Sequence, residues 1–400
     1  MYTSKNQNMG NHTSNLREKL TDYLYNINKQ KIKIIASIAF VVILIIMITK
    51  FFVVTTKVNQ DPNTTSNIIS TNPTTTPKLP SPTPSSIILL AGGWSDRDIS
   101  TVEIISDEKS NNKTQLPNLP TFVPGPCMLK HNNVILICGL KSCQQMNVSS
   151  GSWTHHSSLT SKRDQASGVS TDSASYIFGD LSSNKGKKTY EILPKGSLQW
   201  QAGLTKIPNG YVRGCAVAIS NDEIWLIGGT DTRGRIRSRI LSFNTSSQYF
   251  SELGTTLHQN RYGHACIRIP GMHQILVTGG YTKFRNGYIY KKGILNSTEI
   301  IDIATGNVTY ATPMKMKRYE HGIGIMTIDN EEKVVTFGGE YGNGQFLDSI
   351  EVYHTNTGSW GLLNKTLTEP KNHFGYPTIP YQTVFDSVST NHSLKPILIT

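Results

Sequence analysis

An all-β fold assembled from repeated four-stranded sheets is what this sequence predicts, and three observations predict it. The first is a compound pattern, clearest over 275–310. It runs from an apolar stretch (Ile275-Leu276-Val277-Thr278) through a glycine pair (Gly279-Gly280) and a polar loop to a strand (Ser297-Thr298-Glu299-Ile300-Ile301-Asp302-Ile303), a short turn and Tyr310. The second is its return: Ile224-Trp225-Leu226-Ile227 with Gly228-Gly229, and Val334-Val335-Thr336-Phe337 with Gly338-Gly339. The third is a piece ahead of the later glycine markers, Arg261-Tyr262-Gly263-His264-Ala265 and Arg318-Tyr319-Glu320-His321-Gly322, with a weaker Arg163-Asp164-Gln165-Ala166-Ser167. A period of roughly forty to sixty residues with strands inside each unit means a propeller or array.

In chain order, residues 1–33 form a hydrophilic tail with no domain pattern. Residues 34–54 are almost unbroken Ile, Val, Ala, Leu, Met and Phe, long enough for a helix to cross a bilayer core of about 30 Å, with Lys50 snorkelling. No polar face and no small-residue cleavage site accompany this run, so it is expected to be a signal-anchor helix. Lys5, Arg17, Lys19, Lys29, Lys31 and Lys33 precede it and only Lys50 and Lys57 follow closely. The positive-inside rule then predicts a single-pass type II membrane protein, its carboxy-terminal domain at the cell surface or in the secretory lumen. Residues 55–86 are rich in Thr and Pro (Pro80-Ser81-Pro82-Thr83-Pro84) and cannot bury a core. They read as a semi-rigid stalk.

Over 87–380 the first marker glycines fall at Gly92, Gly139, Gly179, Gly228, Gly279 and Gly338, which defines six repeats; Leu140 and Asp180 replace the second glycine in repeats two and three. Each unit offers four short strands, enough for a propeller blade. These residues resemble the kelch repeat: an apolar strand ending in Gly-Gly, a strand ending in Tyr, a Gly-Ser-Trp turn (Gly151-Ser152-Trp153, Gly358-Ser359-Trp360), and an Arg-X-X-His-Ala/Gly start. The resemblance implies a six-bladed kelch-type β-propeller. The first repeat begins at its second strand, and a matching piece, Asn372-His373-Phe374-Gly375-Tyr376-Pro377, follows the sixth. The ring is therefore expected to close by a carboxy-terminal strand completing blade one, which removes exposed sheet edges. Residues 381–400 form a tail.

The chain carries 39 Lys and Arg against 27 Asp and Glu, a net charge of +12. Antiparallel connectivity puts the loops from strand two to three, and the crossings from strand four to the next strand one, on one face. That face collects Lys187, Lys188, Arg233, Arg235, Arg237, Arg239, Lys283, Arg285, Lys315 and Lys317, the candidate ligand-binding residues. The arginines Arg261 and Arg318 read equally well as binding or structural. The other face has Asp222, Glu223, Asp329, Glu331 and Glu332. Sequons at Asn112, Asn147, Asn244 and Asn307 fall in its turns; Asn296 and Asn364 are further acceptors, and Asn63 and Asn391 also begin Asn-X-Ser/Thr. A basic loop face held outward on a stalk is suited to an acidic protein or glycan partner, and the resemblance implies partner binding on the same face.

No cofactor, metal site or catalytic residue is expected. The five cysteines (Cys127, Cys138, Cys143, Cys215, Cys266) have no zinc-like spacing, three fall in one repeat within reach of a local bridge, and the odd count leaves at least one unpaired within the chain. His264, His321 and His373 read as one repeat position and hence as packing residues. Sialidase repeats need Ser-X-Asp-X-Gly-X-Thr-Trp, which the Gly-Ser-Trp spacing does not match. A galactose-oxidase-like or glycosidase enzyme, and a luminal scaffold, remain the alternatives. The basic loops carry no nucleic-acid reader motif.

Overall fold

In the computed structural model, residues 86–107, 116–147, 151–286, 289–376 and 378–380 are described, all within the compact unit Pro80–Thr400. The tail, the expected membrane helix, the stalk and the last twenty residues lie outside them. Among the described residues no helix is long and apolar enough to cross a membrane.

The protein is an all-β propeller. Repeats two to six each form one four-stranded antiparallel sheet in chain order. Repeat two uses Cys127–His131, Val134–Gly139, Ser142–Asn147 and Trp153–His156. Repeat three uses Ser167–Ser170, Ala174–Phe178, Tyr190–Pro194 and Gln201–Ala202; repeat four uses Cys215–Ala218, Glu223–Ile227, Arg239–Asn244 and Tyr249–Thr256. In repeats five and six the loop between strands two and three carries a small hairpin. Repeat five combines Ala265–Arg268, Gln274–Thr278, Thr298–Asp302 and Val308–Ala311 with the hairpin Tyr281–Asn286 and Ile289–Ile294. Repeat six combines Gly322–Ile328, Glu331–Phe337, Ser349–His354 and Ser359–Thr366 with Glu340–Gly342 and Gln345–Phe346. Repeat one forms a three-stranded sheet in which Ser86–Ala91 lies between Val102–Ile105 and the carboxy-terminal Thr378–Pro380.

Burial explains why the pattern is legible. Strand two of each sheet packs on both faces against neighbouring sheets, so it reads as a continuous apolar run. Ile224, Trp225, Leu226 and Ile227 are all buried. The outermost strand meets solvent and alternates, as in Tyr249–Thr256. The three-stranded sheet is held on both sides. Ile87, Leu89 and Ala91 pack with Met128 and Ile135 of repeat two, and Ile88 and Leu90 pack with Val335 and Phe337 of repeat six.

The glycine marker has a steric cause. Gly279 sits at φ +58°, and a Cβ there would lie 2.5 Å from the Arg318 carbonyl oxygen of the following crossing. That crossing brings in a buried cation. Arg318 Nη1 donates to the carbonyls of Gly338 (2.8 Å) and Ser349 (3.0 Å), and Nε donates to Glu351 Oε1 (3.2 Å). The carboxylate also accepts the amides of Lys315 (2.6 Å) and Met316 (3.0 Å). The same clamp recurs as Arg163–Glu191 and Arg261–Glu299, and as Lys371–Glu103 with 2.7 Å between Nζ and Oε1. Arg261 and Arg318 are therefore structural: both are fully buried. Repeat four solves the position without charge, placing Tyr211 and Leu241 there, both buried.

Two disulfides form. Cys138–Cys143 is the local bridge within repeat two, and Cys215–Cys266 links the first strands of repeats four and five across 51 residues. Cys127 is buried and unpaired, and burial pushes its thiol up to about 12.

Candidate functional site

The loop face is built on the six crossings. One residue in each, Gly125, Gln165, Arg213, Gly263, Glu320 and His373, holds a left-handed backbone with φ between 49° and 58°. Their amides link in succession. Gln165 donates to Gly125 (3.2 Å), Arg213 to Gln165 (3.3 Å), Gly263 to Arg213 (2.7 Å), Glu320 to Gly263 (2.7 Å) and His373 to Glu320 (3.4 Å). This ring corrects the repeat alignment of the histidines. His264 and His321 do share one position, where each ring packs on a marker glycine, Gly228 or Gly279. Phe374 fills that position in the last crossing, against Gly338, and His373 belongs to the ring instead. Burial, then Arg261, takes the His264 pKa down to about 3, and burial likewise lowers His321. Both are neutral packing groups.

Charge converges on the ring. Arg213 donates to Gln165 and lies 3.7 Å from Glu320 Oε1. Glu320 also pairs with His373. The Arg213 guanidinium sits 5.5 Å from the Tyr262 ring centre. Tyr262, Tyr281 and Tyr319 pack together with centroids 5.4–6.0 Å apart. Tyr281 continues this cluster into a groove of about 670 Å³ between the hairpins of repeats five and six, lined also by Lys292, Lys317, Glu340 and Tyr341. Sequence reasoning missed the hairpins and the tyrosine cluster; Asn286-Gly287 between two alternating runs is the signal for the first hairpin.

The candidate basic residues do not all stand in solvent. Arg233, Arg235, Lys188, Lys283, Lys315 and Lys317 are exposed. Lys187 is half-buried, its Nζ 3.4 Å from Asn184 Oδ1. Arg285 lies in the hairpin strand Tyr281–Asn286. Arg235 and Arg237 both donate to Asp231, whose carboxylate also accepts the amides of Arg233 (2.8 Å) and Arg235 (3.0 Å). Burial alone would raise that carboxyl, but these hydrogen bonds together take it down to about 2. Arg239 is buried, donating to the carbonyls of Pro208 (2.6 Å) and Gly210 (2.9 Å). The run of four arginines thus supplies three side chains that order the loop or the sheet: Arg235 and Arg237 fold onto Asp231, and Arg239, at the start of its strand, is buried.

Among the sequons, Asn147 and Asn244 are exposed at strand ends on the other face, Asn307 is exposed in its turn, and Asn364 is exposed on an outer strand. Asn296 lies on the loop-face side, its Nδ2 donating to the Met314 carbonyl (3.1 Å). Asn112 is outside the described residues. The other face is not uniformly acidic: Lys130, Lys195 and Arg268, at or just beyond strand ends, line a cavity there. Among the described residues no group of three His, Cys, Asp or Glu is placed to hold a metal ion.

No protein-family model matches the chain, and no curated protein does either. Among solved structures, one titled "Structure of YjhT" superposes with a TM-score of 0.53 at 13% identity, over 72% of this chain and 99% of that one. At that identity the likeness is one of fold.

Proposed function

We propose that this chain is a single-pass type II membrane glycoprotein whose six-bladed kelch propeller binds an acidic protein or glycan through its loop face. The three-stranded sheet is counted as the sixth blade, since it packs between repeats two and six and the carboxy-terminal strand takes the place of its missing first strand. The observation that carries the binding reading is the groove between the hairpins. It joins exposed Lys292 and Lys317 to an aromatic wall of Tyr281 and Tyr341. Cations beside aromatic faces suit a ligand with both charge and flat or apolar surface. Exposed Lys188, Arg233, Arg235 and Lys315 on the same face extend the positive field.

The test is binding of the full chain in detergent to an array of neutral, sialylated and sulphated glycans at two salt concentrations. Acidic-glycan binding that weakens with salt is expected. Binding to neutral glycans alone would overturn the reading, and no binding to any would point to a protein ligand. Glycosidase treatment should lower the apparent mass if the sequons are used. Surface labelling separates a cell-surface receptor from a luminal scaffold.

A propeller enzyme is the second reading, favoured by the Arg213–Glu320–His373 cluster, in which a carboxylate with 7% side-chain exposure meets two basic groups. Turnover of any glycan on the array, lost in Glu320→Gln, would establish it.

A further inference from the structure

On the face opposite the basic loops, the turns joining strands one and two of repeats two, three and four border a cavity of about 680 Å³. Three cations line it, each from a different repeat: Lys130 near the end of Cys127–His131, Lys195 just after Tyr190–Pro194, and Arg268 closing Ala265–Arg268. Arg163, Arg261 and Arg318 are neutralised by buried glutamates. Among the described residues, by contrast, Lys130, Lys195 and Arg268 form no ion pair. Arg268 Nη1 donates to the Ile219 carbonyl (3.1 Å), which fixes the guanidinium over the turn of repeat four and leaves its remaining N–H groups for other partners. The one carboxylate in the lining, Asp172, is already engaged, accepting from Asn221 Nδ2 (2.9 Å).

His131 completes the wall. It is 5% exposed, its Nδ1 lies 3.0 Å from Ser175 Oγ, and Ser175 Oγ lies 2.8 Å from Ser170 Oγ. Its Nε2 has no hydrogen-bond partner among the described residues. A buried polar atom without a partner costs stability unless something occupies the site. The cavity is larger than a bare ion requires, and Ser170, Thr171, Ser220 and Asn221 give it a hydroxyl- and amide-rich lining.

We propose that this cavity binds a small, hydroxyl-rich ligand carrying one oxyanion, the anion held by Lys130, Lys195 and Arg268 and the hydroxyls by the serine, threonine and asparagine side chains. It is a second site, on the face away from the loop-face groove. Three cations against one occupied carboxylate select for negative charge, and bidentate contacts from a fixed guanidinium select for a planar or tetrahedral oxyanion.

The experiment is calorimetric titration of the full chain in detergent with glucose 6-phosphate, glucose 6-sulphate, glucuronate and glucose. At least one anionic sugar should bind and glucose should not; the anion that binds best names the group. Arg268→Gln and Lys195→Gln should each weaken that binding about tenfold, the loss of one charge-assisted contact. Lys206→Gln, an exposed lysine outside the cavity, should bind as wild type. Lys195 is exposed, so its variant keeps the wild-type melting temperature and reports on binding alone. Failure of all three anions to bind, equal binding of glucose, or wild-type affinity in both cavity variants would overturn the proposal.

Discussion

Replacing Arg318 by Met keeps the side-chain bulk and removes the charge from a fully buried pair. The variant loses the bonds to the carbonyls of Gly338 (2.8 Å) and Ser349 (3.0 Å), to Ser349 Oγ (2.9 Å) and to Glu351 (3.2 Å). Glu351 stays buried with only the Lys315 and Met316 amides to hold its charge. Stranding one partner of such a pair costs about 3–5 kcal/mol. At roughly 2–4 °C per kcal/mol for a domain of this size, the melting temperature should fall by about 6–20 °C. Repeat four supplies the control, since Tyr211 and Leu241 occupy the same two positions without charge. The double variant Arg318→Tyr/Glu351→Leu should therefore recover at least half of the loss; the amides of Lys315 and Met316, in a partly exposed loop, then pass to water. Differential scanning fluorimetry on wild type, single and double variants decides it. A single variant melting within about 2 °C of wild type, or a double variant no more stable than the single, would refute the clamp as described.

Other consequences are equally specific. His264 titrates at 6.5 when unfolded and about 3 when folded, so its contribution is intact above pH 6.5 and is lost as pH falls from there toward 3. From this residue alone, stability at pH 5 should be about 2 kcal/mol below that at pH 7.5. His264→Phe, copying Phe374 at the equivalent place, should shrink the difference in melting temperature between those two pH values; an unchanged difference would contradict the assignment. Asp231 works at the acid end: its folded pKa of about 2 lies below the ordinary 3.8, so its stabilisation is present above pH 3.8 and lost toward pH 2. Asp231→Asn should destabilise by about 2 kcal/mol at neutral pH and loosen 231–237, read as faster hydrogen exchange of the Arg233 and Arg235 amides. Removing the Cys215–Cys266 bridge by a double Ser substitution opens a loop of 51 residues and should cost about 4 kcal/mol by chain entropy, measured by urea unfolding without reductant.

Much of the fold was legible because a propeller repeats its physics. Each second strand is buried on both sides, and in repeats three to six it ends where a glycine must clear the next crossing's carbonyl, so an apolar run ending in glycine marks it, with a second glycine in repeats four to six. Repeat two is looser for a visible reason: Val123 and Gln144 stand where the Arg–Glu clamp would be, and Leu140 itself adopts the left-handed conformation, φ 51°. The site was less legible. Sequence counts charges but not which of them a loop folds onto a carboxylate or a sheet buries, so Arg237 and Arg239 look like Arg233 although one pairs with Asp231 and the other is buried. His373 and Phe374 differ by one step in a crossing, and only the backbone ring tells which of them packs on glycine. The cavity that gathers Lys130, Lys195 and Arg268 joins residues from three repeats and leaves no local pattern.

The central claim is that the exposed cations of the loop face, and not the arginine run as a whole, hold an acidic partner. The most direct measurement compares acidic-glycan binding by the wild-type chain with two variants of matched charge loss. One is Lys292→Gln/Lys315→Gln/Lys317→Gln, two of them in the groove and Lys315 beside it in the same crossing; the other is Lys206→Gln/Lys333→Gln/Lys365→Gln, outside both the groove and the cavity of Lys130, Lys195 and Arg268. Loss of binding in the groove variant alone, by tenfold or more, is the predicted result. Equal binding by all three proteins would mean that these loop-face lysines hold no ligand, and equal losses in both variants would mean that only net charge matters.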